Sequence, residues 1–239
     1  MRLDRLLAEA GCGSRSEMKK WIRARRVQVD GRIAEDAGLN LDPEAAPDVL
    51  VDGLPVLLRQ HLTIMMHKPA GLITALDDLR HATITDCLPA HWMNRGLVPV
   101  GRLDRDTTGL LILTTDGMLC HRLASPRWSV GKTYRVTVSG PPLTEQDVRA
   151  FAAGLVLPDG LVCRPAVLAL IDPQTADLEI HEGKYHQVKR MMLAGGRTVL
   201  ALHRWKIGPI ELDPDLQPGQ VRFLTQNEID RLYQSVNLD

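Results

Sequence analysis

The sequence predicts an α+β protein with two domains, and three observations support this class. The chain has 239 residues, of which 44% are hydrophobic, enough for one small and one medium-sized core. Its beginning reads as two helices and a hairpin, whereas the rest mixes short strand-like apolar runs with helical segments. We place the domains at residues 1–58 and 62–234, with a passage at residues 56–62 just after Gly53 and Pro55.

The first domain is predicted to open with two amphipathic helices. Apolar side chains recur at helical spacing over residues 2–10, and Gly11 can end that helix in a left-handed conformation. Ser14 and Glu17 form the capping box of a second helix, which has one apolar face and one basic stripe. The basic stripe consists of Arg15, Lys19, Arg23 and Arg26. We expect this stripe to face away from the core.

A small hairpin follows, because Val27 and Val29 alternate with polar residues before the turn signal Asp30-Gly31. In the second domain, apolar runs predict strands over residues 64–66, 110–113, 134–138, 166–171, 177–180, 198–202 and 207–212. Helical patterns predict helices over residues 82–90, 117–124, 144–153, 186–194 and 226–234. The sequence shows no internal repeat and no glycine-rich nucleotide-binding motif.

The charge is unevenly distributed, although the formal net charge is zero. Residues 1–32 carry nine Lys or Arg against four acids, and residues 181–210 carry six against one. Each basic zone is followed by an acidic one. Basic zones of this kind fit a nucleic-acid partner, and ordinary solvated helix faces are the alternative.

Composition also excludes several classes of protein. The four cysteines are scattered, with no two closer than 33 positions, which argues against a disulfide framework and favours a reduced, cytosolic compartment. No apolar run approaches the roughly 18 residues of a membrane span, so we expect a soluble, unprocessed protein. The loose spacing of His181, Glu182 and His186 does not fit a metal site, and we expect none.

The most specific pattern is a single carboxylate among arginines. Asp104 lies between Arg102 and Arg105, and Thr107 and Thr108 follow it ahead of a fully apolar strand. This composition is typical of a tight loop whose backbone and hydroxyls hold a side chain in place. The neighbouring cations favour the ionised form of the carboxylate. An exposed surface turn is the alternative reading of the Arg-Leu-Asp-Arg stretch alone.

Two further runs lie downstream of this loop. Tyr134 begins a strand in the run Lys-Thr-Tyr, where a half-buried strand aromatic is the alternative to a binding role. In the run of residues 182–191, an apolar helix face leaves Lys189 and Arg190 projecting elsewhere. His186 is expected to be a hydrogen-bonding residue at the start of that helix.

In this order, the three runs resemble the active-site landmarks of the pseudouridine synthases. The helix–helix–hairpin over residues 1–58 resembles the S4 RNA-binding domain, so the resemblance spans nearly the whole chain. It implies a catalytic domain with a mixed, largely antiparallel sheet flanked by helices, and no metal or cofactor. It also implies that the basic stripe follows RNA phosphates, whereas the residues alone equally allow a small helical cap on the main domain.

The resemblance implies a role for each candidate residue. Asp104 is the catalytic aspartate that breaks the uridine glycosidic bond, Tyr134 packs on the target base, and Lys189 pairs with Asp104. Arg190 is the fallback partner of that aspartate or a phosphate contact. The substrate contacts are Arg102, Arg105, Thr107, Thr108, Arg190 and Arg204. For Arg204, which with Lys206 could line an RNA groove, surface charge is the alternative. The residues leave open whether Asp104 attacks the sugar or first removes a ribose proton.

A second carboxylate for hydrolysis is not evident. Glycoside hydrolases use two carboxylates about 5–9.5 Å apart. Asp106 lies in the same motif as Asp104, but nothing in the sequence places it on the opposite side of a substrate. An isomerisation that keeps the detached uracil and rejoins it through carbon needs no activated water. The sequence therefore favours an isomerase.

The resemblance is greatest to the branch that modifies ribosomal RNA. The resemblance implies small-subunit 16S rRNA as the substrate and not large-subunit rRNA, because some large-subunit relatives carry long basic tails whereas this chain ends short and acidic. We expect a cytoplasmic monomer that converts one specific uridine in a small-subunit assembly intermediate. Two alternatives remain, a 23S rRNA pseudouridine synthase and a noncatalytic RNA-binding ribosome-assembly protein. The intact set of Asp104, Tyr134 and Lys189 argues against the second alternative.

Overall fold

Two structural units make up this chain in the computed structural model. The described residues are 1–10, 12–42, 47–56, 61–89, 92 and 96–238. One unit comprises Met1–Leu62 and Leu88–Leu97, and the other comprises Thr63–Cys87 and Val98–Asp239. The predicted helix end at Gly11 and residues 57–60 of the predicted passage lie outside the described residues. None of the described helices is long and apolar enough to cross a membrane.

The first unit contains the two predicted helices and the predicted hairpin, together with two strands that were not predicted. Its elements are α1 (Leu3–Glu9), α2 (Arg15–Arg23), β1 (Val27–Val29), β2 (Arg32–Ile33), β3 (Val49–Val51) and β4 (Leu54–Pro55). Ser14 and Glu17 form the predicted capping box of α2. The helices bury Leu3 and Leu7 of α1 and Met18 and Ile22 of α2 in one apolar core with β1 and β3.

A repeated five-residue pattern organises the sheet of this unit, although the sequence was expected to contain no internal repeat. The pattern Val-x-Val-Asp-Gly occurs at residues 27–31 and again at residues 49–53. Both aspartates and both glycines have positive φ, as hairpin turns of the Asp-Gly type require. The two Val-x-Val strands pair antiparallel at the centre of the sheet, whose order is β2-β1-β3-β4. Each copy therefore supplies one central strand and one hairpin turn.

The second unit is built on a nine-stranded mixed sheet. Its strands are β5 (Thr63–Lys68), β6 (Val98–Pro99), β7 (Thr108–Thr114), β8 (Lys132–Ser139), β9 (Val167–Asp172), β10 (Thr175–Ile180), β11 (Thr198–Ile207), β12 (Ile210–Glu211) and β13 (Val221–Phe223). Its helices are α3 (Gly117–Ala124), α4 (Glu145–Ala153), α5 (Gln187–Ala194) and α6 (Gln226–Ser235). The main order is β13-β5-β7-β11-β8-β10-β9, with β6 and β12 paired to β7 and β11. The described pairs are antiparallel except β7 with β11, which confirms the predicted fold class.

The parallel pair at the centre of the sheet positions the cleft described below. All four residues from Leu110 to Leu113 are fully buried, because both faces of β7 are covered. Gly109 has a φ of +105°, and a Cβ atom there would lie 2.1 Å from the carbonyl oxygen of Arg204. Only glycine permits this approach between β7 and β11. Gly109 thus places the loop before β7 next to Arg204.

Three predicted elements, two strands and one helix, differ from the structure. The strands predicted at residues 198–202 and 207–212 are replaced by one continuous strand, β11, and the short β12, because a buried arginine interrupts the apolar pattern without interrupting the strand. The helix predicted at residues 82–90 is a 3-10 turn over Ile84–Cys87, and residue 90 lies outside the described residues. β-Branched Thr83, Ile84 and Thr85 disfavour a longer helix. The short strands β6 and β13 were not predicted.

Candidate active site

An open cleft of about 530 Å³ lies in the second unit. Its walls come from the loop between β6 and β7, from β8 and β11, and from the segment that leads into α5. Asp104 is the only acidic residue among the described residues that line it. Arg102, Arg105, Tyr134 and Lys189 also line the cleft. The structure therefore brings together residues that lie up to 87 positions apart in the sequence.

The loop that carries Asp104 is held by hydrogen bonds to the residues immediately before and after it, Leu103 and Arg105. Thr74 Oγ1 donates to the carbonyl of Leu103 and accepts its N–H, both at 3.0 Å. The Arg105 carbonyl accepts the N–H of Gly71 at 2.6 Å, and the Arg105 guanidinium donates to the Gly71 carbonyl at 3.1 Å. Leu103 is itself buried, whereas Asp104 between these two anchors is part-exposed. The two anchors fix the backbone on both sides of Asp104.

A third anchor is a buried lysine that sequence reasoning missed. The ammonium of Lys68 donates to the carbonyls of Thr107 at 2.9 Å and Pro69 at 3.0 Å. Burial lowers the pKa of Lys68 to about 8, and the charges of Asp106 and Asp104 partly oppose this shift. Lys68 lies at the end of a strand and just before Pro69, and this position carries no pattern that signals a buried charge.

Asp104 makes only loose contacts with two basic side chains. Its carboxylate oxygens lie 3.3 Å from Nε2 of His186 and 3.8 Å from Nζ of Lys189. Its side chain is 28% exposed. The contact with His186 was not predicted, since a helix-start histidine was expected only to cap the backbone. His186 has a left-handed φ of 48°, an uncommon conformation for a residue with a side chain, and this conformation places it at the cleft.

Lys189 bonds to the second aspartate of the loop instead of the first. Its ammonium lies 2.6 and 2.8 Å from the two carboxylate oxygens of Asp106. This hydrogen bond lowers the pKa of Asp106 below its usual range. The expected pairing of Lys189 with Asp104 is thus secondary to a pairing with Asp106. Both oxygens of Asp104 remain within reach of the cleft.

Tyr134 and Arg204 form a buried layer of the cleft. Tyr134 is 7% exposed and Arg204 is 1% exposed. The Arg204 guanidinium donates to the Leu110 carbonyl at 2.9 Å and to the Tyr134 hydroxyl at 3.4 Å, and it lies 5.9 Å from the centre of the tyrosine ring. The reading of Arg204 as surface charge is therefore wrong. Two buried polar atoms of the lining, Nη2 of Arg204 and Oγ1 of Thr107, have no hydrogen-bond partner among the described residues.

The remaining predicted substrate contacts divide into two groups. Arg102, Arg105 and Thr107 line the cleft. Thr108 and Arg190 are not among its lining residues: the hydroxyl of Thr108 bonds to Nδ1 of His203 at 2.9 Å, and Arg190 forms an ion pair with Asp159. Both side chains are thus bonded to other protein residues in the described structure and do not line the cleft.

No group of described residues forms a candidate metal site. His181 lies 3.2 Å from Glu179 and bonds to the carbonyl of Ser129. Glu182 is buried and accepts hydrogen bonds from Gln187 at 2.6 Å and from the N–H of Arg164 at 2.9 Å. The side chains of His181 and Glu182 are thus each bonded to other protein groups.

Two members of the basic stripe, Arg15 and Lys19, lie together with Arg2 around one buried carboxylate. Asp4 is fully buried, and Arg2, Arg15 and Lys19 lie 3.2, 3.3 and 3.9 Å from its oxygens. The hydrogen bond from Arg2 and those from Arg15 lower the pKa of Asp4. The side chains of Arg2, Arg15 and Lys19 are about half exposed to solvent, at 50%, 54% and 48%.

Two further members of the stripe lie beside this group. Arg26, which follows the helix, pairs with Asp52 and lies over the ring of Trp21. Arg23 is exposed and forms no ion pair within the described part of the chain. The stripe is thus solvent-facing, as expected, although most of its members also have an acidic partner.

Comparisons with known proteins agree with this architecture. The family model for RNA pseudouridylate synthase matches residues 62–153, and the S4 domain model matches residues 1–46. The ribosomal small subunit pseudouridine synthase A of Escherichia coli (strain K12) is 44% identical over 234 residues, which cover 96% of this chain and 98% of that protein. An uncharacterized RNA pseudouridine synthase of Bacillus subtilis (strain 168) is 41% identical over 233 residues, with 96% and 97% coverage.

A solved structure gives the same picture for the fold. The crystal structure of a pseudouridylate synthase superposes with a TM-score of 0.69 at 37% identity, and the match covers 97% of this chain and 99% of that one. The match spans both units in sequence. The relatives named above are likewise matched along nearly their whole length.

Proposed function

Because this chain belongs to the RNA pseudouridylate synthase family, we propose that Asp104 is the carboxylate with which it converts a uridine of 16S rRNA to pseudouridine. The observation that carries this proposal is the position of Asp104 as the acidic residue of the cleft, loosely paired and part-exposed. A firmly paired carboxylate would have to break its bonds before it reacted. Asp104 has no such bond to break.

The reaction requires one bond to break and another to form at the same sugar carbon. The bond from N1 of uracil to C1′ of ribose breaks, the base turns, and C5 bonds to C1′. C5 then loses its proton and N1 gains one, so that the product is an isomer of the substrate. Asp104 begins the cleavage, either by attack on the sugar or by removal of a ribose proton. No water has to be activated, so a second carboxylate such as hydrolases use is not required.

Tyr134 is proposed to hold the extruded base. Taking a uridine out of RNA structure costs a few kcal/mol, and stacking on one aromatic ring contributes about 1–3 kcal/mol. The two amounts are comparable. Arg204 supports this role, because its contacts with the Tyr134 hydroxyl and the Leu110 carbonyl fix the ring in place. The unpaired Nη2 of Arg204 and Oγ1 of Thr107 offer one donor and one hydroxyl to the polar atoms of the base or ribose.

Phosphates of the RNA are proposed to meet the arginines at the cleft and in the first unit. Arg102 has no ion pair in the described part of the chain, and Arg105 uses only one nitrogen, for the Gly71 carbonyl. Arg15, Lys19, Arg23 and Arg26 supply the corresponding charge in the S4 domain. Such contacts attract and orient RNA without reading its sequence. Thr108 and Arg190 act indirectly, through His203 and Tyr185.

The choice of substrate rests on similarity. The relative from Escherichia coli is named for the small ribosomal subunit and is matched over 98% of its length. We therefore propose 16S rRNA, within an assembly intermediate, as the substrate of a cytoplasmic enzyme. We also propose that the enzyme acts as a monomer.

The test is incubation of the purified protein with unmodified 16S rRNA, with 23S rRNA and with partly assembled small subunits, followed by mapping of pseudouridine. We expect one uridine to be converted, in 16S rRNA, and faster in the assembly intermediate than in free RNA. Conversion confined to 23S rRNA would contradict the small-subunit substrate. Binding without conversion of any of the three would identify an assembly protein without catalytic activity.

A further inference from the structure

One aromatic side chain in the described part of the chain is largely exposed to solvent. All nine Phe, Trp and Tyr residues fall in the described part of the chain, and Tyr185, at 76% exposure, is the only exposed one. Tyr185 lines the rim of the cleft that contains Asp104. Exposing an aromatic ring forgoes the burial that stabilises such residues elsewhere in a fold, so its position calls for a partner.

Tyr185 is stacked on the residue that touches the proposed catalytic carboxylate. The rings of Tyr185 and His186 are 3.9 Å apart and nearly parallel, at 17°. His186 in turn lies 3.3 Å from Asp104. The two rings therefore form a short stack that begins at the proposed reacting group, in which His186 covers one face of the Tyr185 ring. We refer to Tyr185 and His186 as the rim stack.

The backbone under the rim stack is held by hydrogen bonds on both sides. Arg190 donates to the Tyr185 carbonyl at 3.3 Å, and its ion pair with Asp159 fixes the guanidinium. On the other side, the N–H of Lys184 donates to the Gln187 side chain at 3.0 Å. An exposed ring on a fixed backbone loses little conformational entropy when a ligand covers it.

We propose that the rim stack is a binding subsite for the nucleobase adjacent to the target uridine in the RNA chain, an inference that rests on the proposed function. When the uridine leaves its stack to reach Tyr134, its neighbour loses a stacking partner. The exposed face of Tyr185 takes the place of that partner. Tyr134 is buried and receives the target base, whereas Tyr185 is exposed and receives the next one. Stacking of this kind tolerates any base, because every base has a π-face.

Variants at Tyr185 and altered RNAs test the subsite together. Tyr185→Ala and Tyr185→Leu remove the ring, and Tyr185→Phe keeps it; the side chain is exposed, so the fold tolerates all three. On intact RNA we expect the alanine and leucine variants to raise KM about tenfold with little effect on kcat, and phenylalanine to restore most of the binding. Two further RNAs carry an abasic nucleotide directly on the 5′ side or directly on the 3′ side of the target uridine. On one of these two RNAs we expect the wild-type KM to rise about tenfold, and Tyr185→Ala to raise KM no further.

Controls separate this inference from the proposed function. Leu200→Ala alters another exposed apolar side chain of the same unit, one outside the cleft lining, and should leave KM as in the wild type. If the wild type converts no uridine, the proposed function itself fails. If the wild type is active but Tyr185→Ala retains its KM, or raises KM equally on intact RNA and on both abasic RNAs, the rim stack is not a nucleobase subsite.

Discussion

Two aspartates, one in each unit, are surrounded by basic side chains and yet differ in what they can do. Asp4 of the first unit is fully buried, and three cations lie within 3.9 Å of its oxygens. Asp104 of the second unit is 28% exposed and has two looser neighbours at 3.3 and 3.8 Å. Asp4 leaves no room for a substrate. Asp104 faces a cleft of about 530 Å³.

The difference teaches how one loop can keep a carboxylate available among cations. Lys189, a cation that lines the cleft, is bound by Asp106, two residues beyond Asp104. Because Asp106 binds the Lys189 ammonium, that ammonium stays near Asp104, at 3.8 Å, without forming a short ion pair with it. In the first unit Arg2, Arg15 and Lys19 instead all lie within 3.9 Å of the Asp4 carboxylate itself. Asp4 stabilises the first unit, whereas Asp104 is the residue proposed to react.

The largest effect short of removing Asp104 is expected for Lys189→Met. This change removes the positive charge near Asp104 and leaves Asp106 without its partner. We expect kcat to fall about 100-fold with a much smaller change in KM, as for the loss of one electrostatic group in other active sites. Steady-state conversion at several concentrations of 16S rRNA measures both kcat and KM. Lys206→Met, which removes a surface lysine paired with Glu211, is the control and should leave kcat as it is. Equal kcat in both variants would remove Lys189 from the account.

A smaller effect is expected for Thr74→Val, which keeps the shape of the side chain but loses both hydrogen bonds to Leu103. The Asp104 loop then has one anchor fewer. We expect kcat to fall about tenfold, because small displacements of a reacting group are costly. Thr133→Val, which loses a hydrogen bond to Glu179 elsewhere in the sheet, is the matched control. If the two valine variants behave alike, Thr74 has no positioning role.

The first unit should respond in RNA binding and not in chemistry. Arg15→Gln and Lys19→Gln each remove one charge next to Asp4. We expect each to reduce the slope of log K against log salt by about 0.7–0.9, with kcat at saturating RNA retained. Filter binding at several salt concentrations gives the slope, and Arg149→Gln in α4 serves as an exposed control. An unchanged slope would mean that the Asp4 cluster has a structural role only.

The smallest effect is a pH dependence of stability in the first unit. The folded-state pKa of Asp4 is lowered, chiefly by the hydrogen bond from Arg2, so its ionised form stabilises the fold. This contribution is complete above the ordinary aspartate pKa of about 3.9 and is lost as pH falls through the lowered value. Asp4→Asn should lower Tm by about 2–4 °C at pH 7 and by less at pH 3. Thermal melts at pH 7 and pH 3 measure the two differences in Tm, and a difference that grows on acidification would contradict the sign.

Local patterns in the sequence predicted much of the site, because its loop is a contiguous motif. Asp104, its flanking arginines and the helix with Lys189 are each readable from neighbouring residues. The partners of Lys189 were not readable, since the choice between carboxylates two residues apart depends on side-chain direction across a gap of 83 positions. For Arg204 the sequence left surface charge open beside a substrate contact, because hydropathy does not show that a particular arginine is buried. Lys68 was missed for the same reason.

The central claim is tested most directly by two isosteric variants of the same loop. Asp104→Asn and Asp106→Asn each remove one negative charge with almost no change in size, and circular dichroism checks that both fold. Mapped on 16S rRNA under single-turnover conditions, Asp104→Asn should form no pseudouridine, whereas Asp106→Asn should still convert the same uridine at a reduced rate. Conversion by Asp104→Asn at the wild-type rate, or complete loss in Asp106→Asn alone, would contradict the assignment of the reacting carboxylate.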